Sequence, residues 1–167
     1  MQVRDAEAGE IDQLARIWFD GWHESHARIV PAELTRLRTL DNFRTRLRDQ
    51  LSRIRVVGPP GSPAGFAIVK EDELYQLFVS APSRGTGAAA ALVADAEEQL
   101  SRSGVTTAWL ACAIGNDRAA RFYEKCGWRR VGTMVNECQI PNGTFPLEVW
   151  RYEKTLRRAT EIRASVG

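Results

Sequence analysis

The segment SRGTGAAAAL, Ser83 to Leu92, places two glycines and an arginine directly before a run of alanines. It follows the apolar, β-prone stretch ELYQLFVS, Glu73 to Ser80, so the chain must pass there from a strand into a helix. Glycine supplies the backbone freedom for such a turn and lets a ligand approach the main chain closely. The helix it opens has unpaired first-turn N–H groups and a partial positive charge, a ready site for an anion. Arg84 can add a charge-assisted contact. Two glycines alone are equally compatible with a plain tight turn. The segment lacks the lysine and hydroxyl residue of a P-loop and the third glycine of a dinucleotide-binding fingerprint.

The rest of the chain alternates helical and strand patterns. From Ala8 to Ser25, Ile11, Leu14, Ala15, Ile17, Trp18 and Trp22 recur at helical spacing, with Asp5 as the expected cap. Beyond Pro31, Leu34, Leu37, Leu40, Phe43, Leu47 and Leu51 continue a helical stripe, with Asp41 expected to cap a second piece. RIRVVG and GFAIVK flank the turn GPPGSPAG and, with ELYQLFVS, read as antiparallel strands. The alanine-rich helix ends near Gly104. VTTAWLACAI reads as a buried strand and NDRAARFYEKCGW as a short helix between Asn116 and Gly127. The last third forms a hairpin about the turn PNG, and the polar tail after Leu156 is expected to fray. This order gives one mixed α/β (α+β) domain over residues 1–167.

Composition narrows the function. The 23 basic and 21 acidic side chains leave a net charge of +2, a balance that calls for neither nucleic acid nor an anionic membrane as partner. Cys112, Cys126 and Cys138 are odd in number and contain no CxxC pair, so no disulfide framework is expected and a reducing, cytoplasmic setting fits. No apolar run approaches the roughly 20 residues of a membrane span, and the acidic N-terminal stretch does not read as a signal peptide. From Arg28 to Arg55 eight arginines face only Glu33, Asp41 and Asp49. Such a stretch can attract an acidic acceptor, but a basic helix face is more often simply solvated.

LYQLFVSAPSRGTGAAAAL resembles the acetyl-CoA-binding segment of the GNAT acetyltransferases, Gln/Arg-x-x-Gly-x-Gly/Ala, through Arg84-Gly85-Thr86-Gly87-Ala88-Ala89. NDRAARFYEKCGW resembles a second motif of the family through Asn116, Ala119, Phe122, Tyr123 and Gly127, with Trp128 where phenylalanine is usual. The resemblance implies a strongly twisted mixed sheet of about six to seven strands with about four helices, splayed between the strand ending at Ser80 and the strand Thr106–Ile114. It implies a pantetheine arm paired with the main chain of Leu77, Phe78 and Val79, a pyrophosphate on the N–H groups from Arg84 to Ala89, and Asn116 near the thioester. A homodimer is also implied, with the final strand PLEVWRY offered to a second chain.

The implied activity is transfer of an acetyl group from acetyl-CoA, without a metal, to a primary amine of a small molecule or peptide. Tyr123 is the implied proton donor to the departing thiolate. Glu73 is the candidate base, with His23 and His26 as rivals because imidazole titrates near neutrality. Strict strand alternation places Glu73, Tyr75, Leu77 and Val79 on one face of the sheet and Leu74, Gln76 and Phe78 on the other. Trp22, His23, His26, Arg28, Trp109 and Glu137 are acceptor-site candidates. The alternative function is a sensor of the same fold that binds acyl-CoA without turnover.

Overall fold

The computed structural model describes residues 1–157. The expected fraying of the tail falls on residues 158–167, outside the described residues. Strand β1 (Val3–Asp5) is followed by α1 (Ile11–His26), α2 (Ala32–Leu37), α3 (Leu40–Asp49), β2 (Ile54–Val57), β3 (Gly65–Lys70) and β4 (Glu73–Val79). Then come α4 (Ala88–Arg102), β5 (Thr107–Ala113), α5 (Asp117–Lys125), β6 (Arg129–Ile140) and β7 (Gly143–Thr155). The strands form one sheet in the order β1-β2-β3-β4-β5-β7-β6. Its neighbours are antiparallel except β4 and β5, which run parallel.

The mixed, helix-flanked sheet is the expected architecture, with five α-helices among the described residues rather than four. β1 has only three residues and pairs with β2. Asp5, expected to cap a helix, is part of this strand, and its Oδ1 accepts from Arg55 Nη1 at 2.7 Å. The stripe after Pro31 is broken at Arg38 and Thr39 into α2 and α3. Thr39 caps α3, with its hydroxyl accepting from the Asn42 N–H, whereas Asp41 lies in the first turn and accepts from Arg44. β7 lies between β5 and β6, so Val149 to Tyr152 of PLEVWRY have both edges paired, whereas Pro146 to Glu148 pair with β6 alone.

Two cores flank the sheet. Leu14, Trp18, Trp22, Leu34, Phe43 and Leu47 of α1–α3 pack on Ile54, Val56, Phe66 and Ile68. On the other face Leu92, Val93, Ala96 and Leu100 of α4 pack on Val57, Ala67, Leu110 and Tyr152. α1 comes close to β4 at Gly21, where an added Cβ would stand 2.8 Å from Phe78 Cδ1.

β4 carries a bulge. Ile68 faces Gln76 while Val69 faces Leu74, so Tyr75 is the extra residue. Leu74, Leu77 and Val79 consequently share the α4 face, and Tyr75 and Phe78 the α1–α3 face. This replaces the strict alternation read from the sequence.

One buried carboxylate ties the N-terminal elements together. Glu10 is 1% exposed. Its oxygens accept from Arg4 Nη1 and Nη2 at 2.9 and 2.6 Å, from the Glu7 N–H at 2.9 Å and from the Gly61 N–H at 3.2 Å. The Arg4 hydrogen bonds hold its pKa down to about 2, against a reference of 4.5. A depressed carboxylate stabilises the fold above its unfolded pKa, and that contribution is lost as pH falls from about 4.5 to about 2. Glu10→Gln is expected to lose roughly 3 kcal/mol at neutral pH. In urea unfolding this deficit shrinks as the pH approaches 2 to 3.

Candidate functional site

The parallel seam between β4 and β5 holds together at a single register pair, Glu73 with Trp109. Past it the strands diverge. The Ser80 N–H donates to Ala64 O at 2.8 Å, so by antiparallel alternation Phe78 also directs its main chain to β3, while Leu77 and Val79 turn theirs into the gap. Of the three residues expected there, two present main-chain groups to the opening and Phe78 presents its ring.

A cavity of about 360 Å³ occupies this opening. Its lining includes Leu77, Phe78 and Val79 of β4, Arg84, Gly85, Gly87, Ala88 and Ala89 of the loop and α4, Asn116, Ala119, Phe122 and Tyr123, and Gly21 and Ser25 of α1. The residues that the sequence assigned to a cofactor are thus brought together, with the exception of Thr86. That residue is not part of the lining, and its Oγ1 donates to Ser83 O at 2.5 Å.

The loop has the conformation that glycine serves. Gly85 and Gly87 have φ of +76° and +90°, in the region unfavourable to side-chain-bearing residues. A Cβ at either would meet nothing within 4 Å, so it is the backbone conformation, not a neighbouring protein atom, that calls for glycine. The first helical hydrogen bond runs from the Ala91 N–H to Gly87 O. Among the described residues the N–H groups from Gly85 to Ala90 find no acceptor, and they form a cradle suited to an anion.

Arg84 is engaged elsewhere. Its Nη1 and Nη2 donate to Glu24 Oε1 and Oε2 at 3.0 and 2.6 Å, and Arg118 Nη1 lies 3.5 Å from Glu24 Oε1. Glu24, on α1, therefore stands between two cationic side chains that line the cavity, and its carboxyl is held below the usual range, chiefly by Arg84. Asn116 caps α5, with Oδ1 accepting from the Ala119 N–H at 3.4 Å.

A second cavity, about 130 Å³, lies on the α1–α3 side of β4. Its lining includes Trp22, His26, Arg38, Arg46, Glu73 and Glu137. The two cavities share Leu77, Phe78, Asn116, Ala119 and Tyr123. Tyr123 thus reaches both. Burial, reinforced by the neighbouring Cys112 and Cys126, raises its hydroxyl well above the usual tyrosine range, so it holds its proton at neutral pH.

Glu73 lines the second cavity. Burial pushes its carboxyl up to about 7, with Asp72 and Glu71 adding to the rise and Lys70 and Arg151 opposing it. His26 also lines this cavity, stacked on Trp22 with rings 5.0 Å apart; burial lowers it to about 4, which makes it a weak base. His23 instead meets Arg38 O through Nε2 at 2.7 Å. Arg28 is exposed, and Trp109 donates Nε1–H to Asp72 Oδ1 at 3.0 Å; neither lines the cavity. Arg38 and Arg46 do, although the sequence gives them only as members of a basic stretch. Among the described residues no group of three or more His, Cys, Asp and Glu side chains is placed to hold a metal ion, and no helix is long and apolar enough to cross a membrane.

The sheet is thus splayed at its parallel seam, with a glycine-turned helix terminus at the splay. The chain belongs to the acetyltransferase (GNAT) family, whose model matches residues 12–128. No curated protein matches it by sequence. Among solved structures it is similar to a GCN5-related N-acetyltransferase from Rhodopseudomonas palustris, with a TM-score of 0.71 and 22% identity over 93% of this chain and 95% of that one. It is similar to the ribosomal-protein-alanine N-acetyltransferase of Brucella melitensis, with a TM-score of 0.70 and 19% identity over 93% and 100%. A third neighbour is the PaiA N-acetyltransferase of Thermoplasma acidophilum in complex with coenzyme A, with a TM-score of 0.61 and 16% identity over 92% and 98%. At these identities the likeness speaks for the fold.

Glu73 supplies a test of the site's electrostatics. Its folded pKa of about 7 lies above the reference of 4.5, so the folded state keeps a proton that the unfolded state has lost. Stability then falls as pH rises from about 4.5 to about 7. Glu73→Gln is expected to be more stable than the parent in urea unfolding at about pH 8 and little different at about pH 4.

Proposed function

We propose that this acyltransferase moves an acetyl group from acetyl-CoA to a primary amine by direct attack, with Tyr123 as proton donor and Glu73 as base. The observation that carries the reading is the meeting of the two cavities at Tyr123 and Asn116: one is fit for an anionic, extended donor and the other holds a carboxylate matched to an amine.

Acetyl-CoA supplies the activated carbonyl. The N–H groups from Gly85 to Ala89 suit its pyrophosphate, and Arg84 can exchange Glu24 for a phosphate oxygen. Leu77 and Val79 offer main-chain groups to the amide-bearing arm as a neighbouring strand would, and an N–H in this stretch of β4 can stabilise charge on the carbonyl oxygen. An alkyl ammonium with a pKa near about 10.4 must lose a proton before it attacks. Glu73, at about 7, is poised to take that proton directly or through water near neutral pH. Tyr123 keeps its proton until a thiolate needs it.

Thiol release across a panel of amines tests the reading. Tyr123→Phe should lower kcat about a hundredfold with the KM for acetyl-CoA near the parent value. Arg84→Ala should raise that KM roughly tenfold and spare kcat. kcat/KM should climb with pH up to about 7, and Glu73→Gln should abolish that limb. A raised melting temperature with acetyl-CoA but no thiol release with any amine would favour the sensor instead.

A further inference from the structure

Two buried charges in the second cavity form no ion pair among the described residues. Arg38, at the C-terminal end of α2, is 3% exposed, and Arg46, in α3, is 5% exposed. Both line the cavity. Arg38 Nη1 donates to Asn42 Oδ1 at 3.0 Å and to Gln139 O at 2.6 Å; Arg46 Nη2 donates to Tyr75 Oη at 3.0 Å. The Nε atom of each is buried and has no hydrogen-bond partner. Among the described residues neither guanidinium has a carboxylate within 4.0 Å.

Burying a cation without a counter-ion is strongly unfavourable. Guanidinium groups do not escape by deprotonation at neutral pH: burial and the adjacent Arg46 charge lower Arg38 only to about 10. The partners present are neutral oxygens and aromatic faces, with Arg46 Cζ 4.3 Å from the Trp18 ring centroid and Arg38 Cζ 6.0 Å from that of Trp22. These soften the cost of each charge without neutralising it. Glu73 and Glu137 line the same cavity, so its lining carries both cationic and acidic groups and suits a ligand with both signs of charge.

Resting on the acetyltransferase reading above, we infer that the acceptor is a small amino carboxylate, whose carboxylate meets the buried guanidiniums of Arg38 and Arg46 while its amine faces Glu73. A carboxylate matches the fork of donors on a guanidinium and supplies the counter-charge that, among the described residues, neither arginine has within 4.0 Å. The modest volume, about 130 Å³, favours a free amino acid or similar small zwitterion over a peptide chain.

The test uses the full-length protein with the standard L-amino acids, their amides, the amines lacking the carboxyl group, and aminoethyl phosphate. Thiol release gives kcat/KM, and calorimetry on the CoA-saturated protein gives binding independently of turnover. An amino acid should exceed its own amide about ten- to a hundredfold in both measurements. Arg46→Gln and Arg38→Gln should remove most of that preference, while an undiminished acetyl-CoA thermal shift certifies the fold. Arg46→Lys keeps the charge but not the fork and should recover part of the preference.

Equal binding of acids and amides, or a ratio unmoved in both glutamine variants, overturns the inference while leaving the acetyltransferase reading intact. A preference for aminoethyl phosphate overturns the carboxylate assignment. Arginine-dependent binding of amino acids without thiol release supports the site and instead defeats the enzyme reading.

Discussion

Everything in the site depends on one seam that does not close. β4 and β5 meet at Glu73 and Trp109 and then part, in a sheet whose other strand pairs carry runs of register partners. Main-chain polar groups in an interior are costly without partners, so an open seam is maintained only where both strands are held from outside. β3 holds β4 along its length and β7 holds β5, while Gly21 lets α1 press on Phe78 at the widening end. The opening is therefore the product of well-paired neighbours. It leaves Leu77 and Val79 as a short length of unpaired strand edge inside the molecule, the kind of surface that an amide-bearing ligand can complete.

The bulge at Tyr75 divides labour along the same strand. Below it, Glu73 and Tyr75 serve the cavity under α1–α3; above it, Leu77 and Val79 line the cleft beside α4. Tyr75 also gives Arg46 its neutral oxygen partner. A strand without the extra residue would turn one of these sets to the wrong face. The two cavities meet between β4 and α5, and Ala119 and Tyr123 are the side chains that α5 places at the junction.

Much of this was legible in the chain. Helical spacing gave α1 and its buried stripe; the glycine loop and the Asn116–Trp128 segment, read together, pointed to the family; and the residues assigned to the cleft come together apart from Thr86. What could not be read has physical causes. β1 is too short for a pattern to register. The bulge is a property of pairing between two strands, so nothing within ELYQLFV announces it. Asp41 looked like a cap because the break at Thr39 depends on where α2 and α3 each find their core. The largest miss concerns charge: Arg38 and Arg46 sit among arginines with no distinguishing neighbour, and the stretch reads as a solvated face. Burial is decided by tertiary packing, with the arginine stems covering apolar surface, and only the folded chain separates these two from Arg36 and Arg48, which remain exposed or nearly so.

α1 touches both halves of the site. Glu24 joins it to Arg84 and Arg118 beside the glycine loop, and within one turn Trp22 and His26 line the other cavity. A polyanion arriving at the loop competes with Glu24 for the same cations, so the helix exchanges an anchor on one flank while keeping its place in the core on the other. Were that exchange to shift α1, it would couple the two cavities, and linkage would make the coupling symmetric: whatever filling one did to the affinity of the other would be returned by the same factor. α1 is thus a beam shared by the two cavities, held by ion pairs on one flank and by its aromatic face on the other.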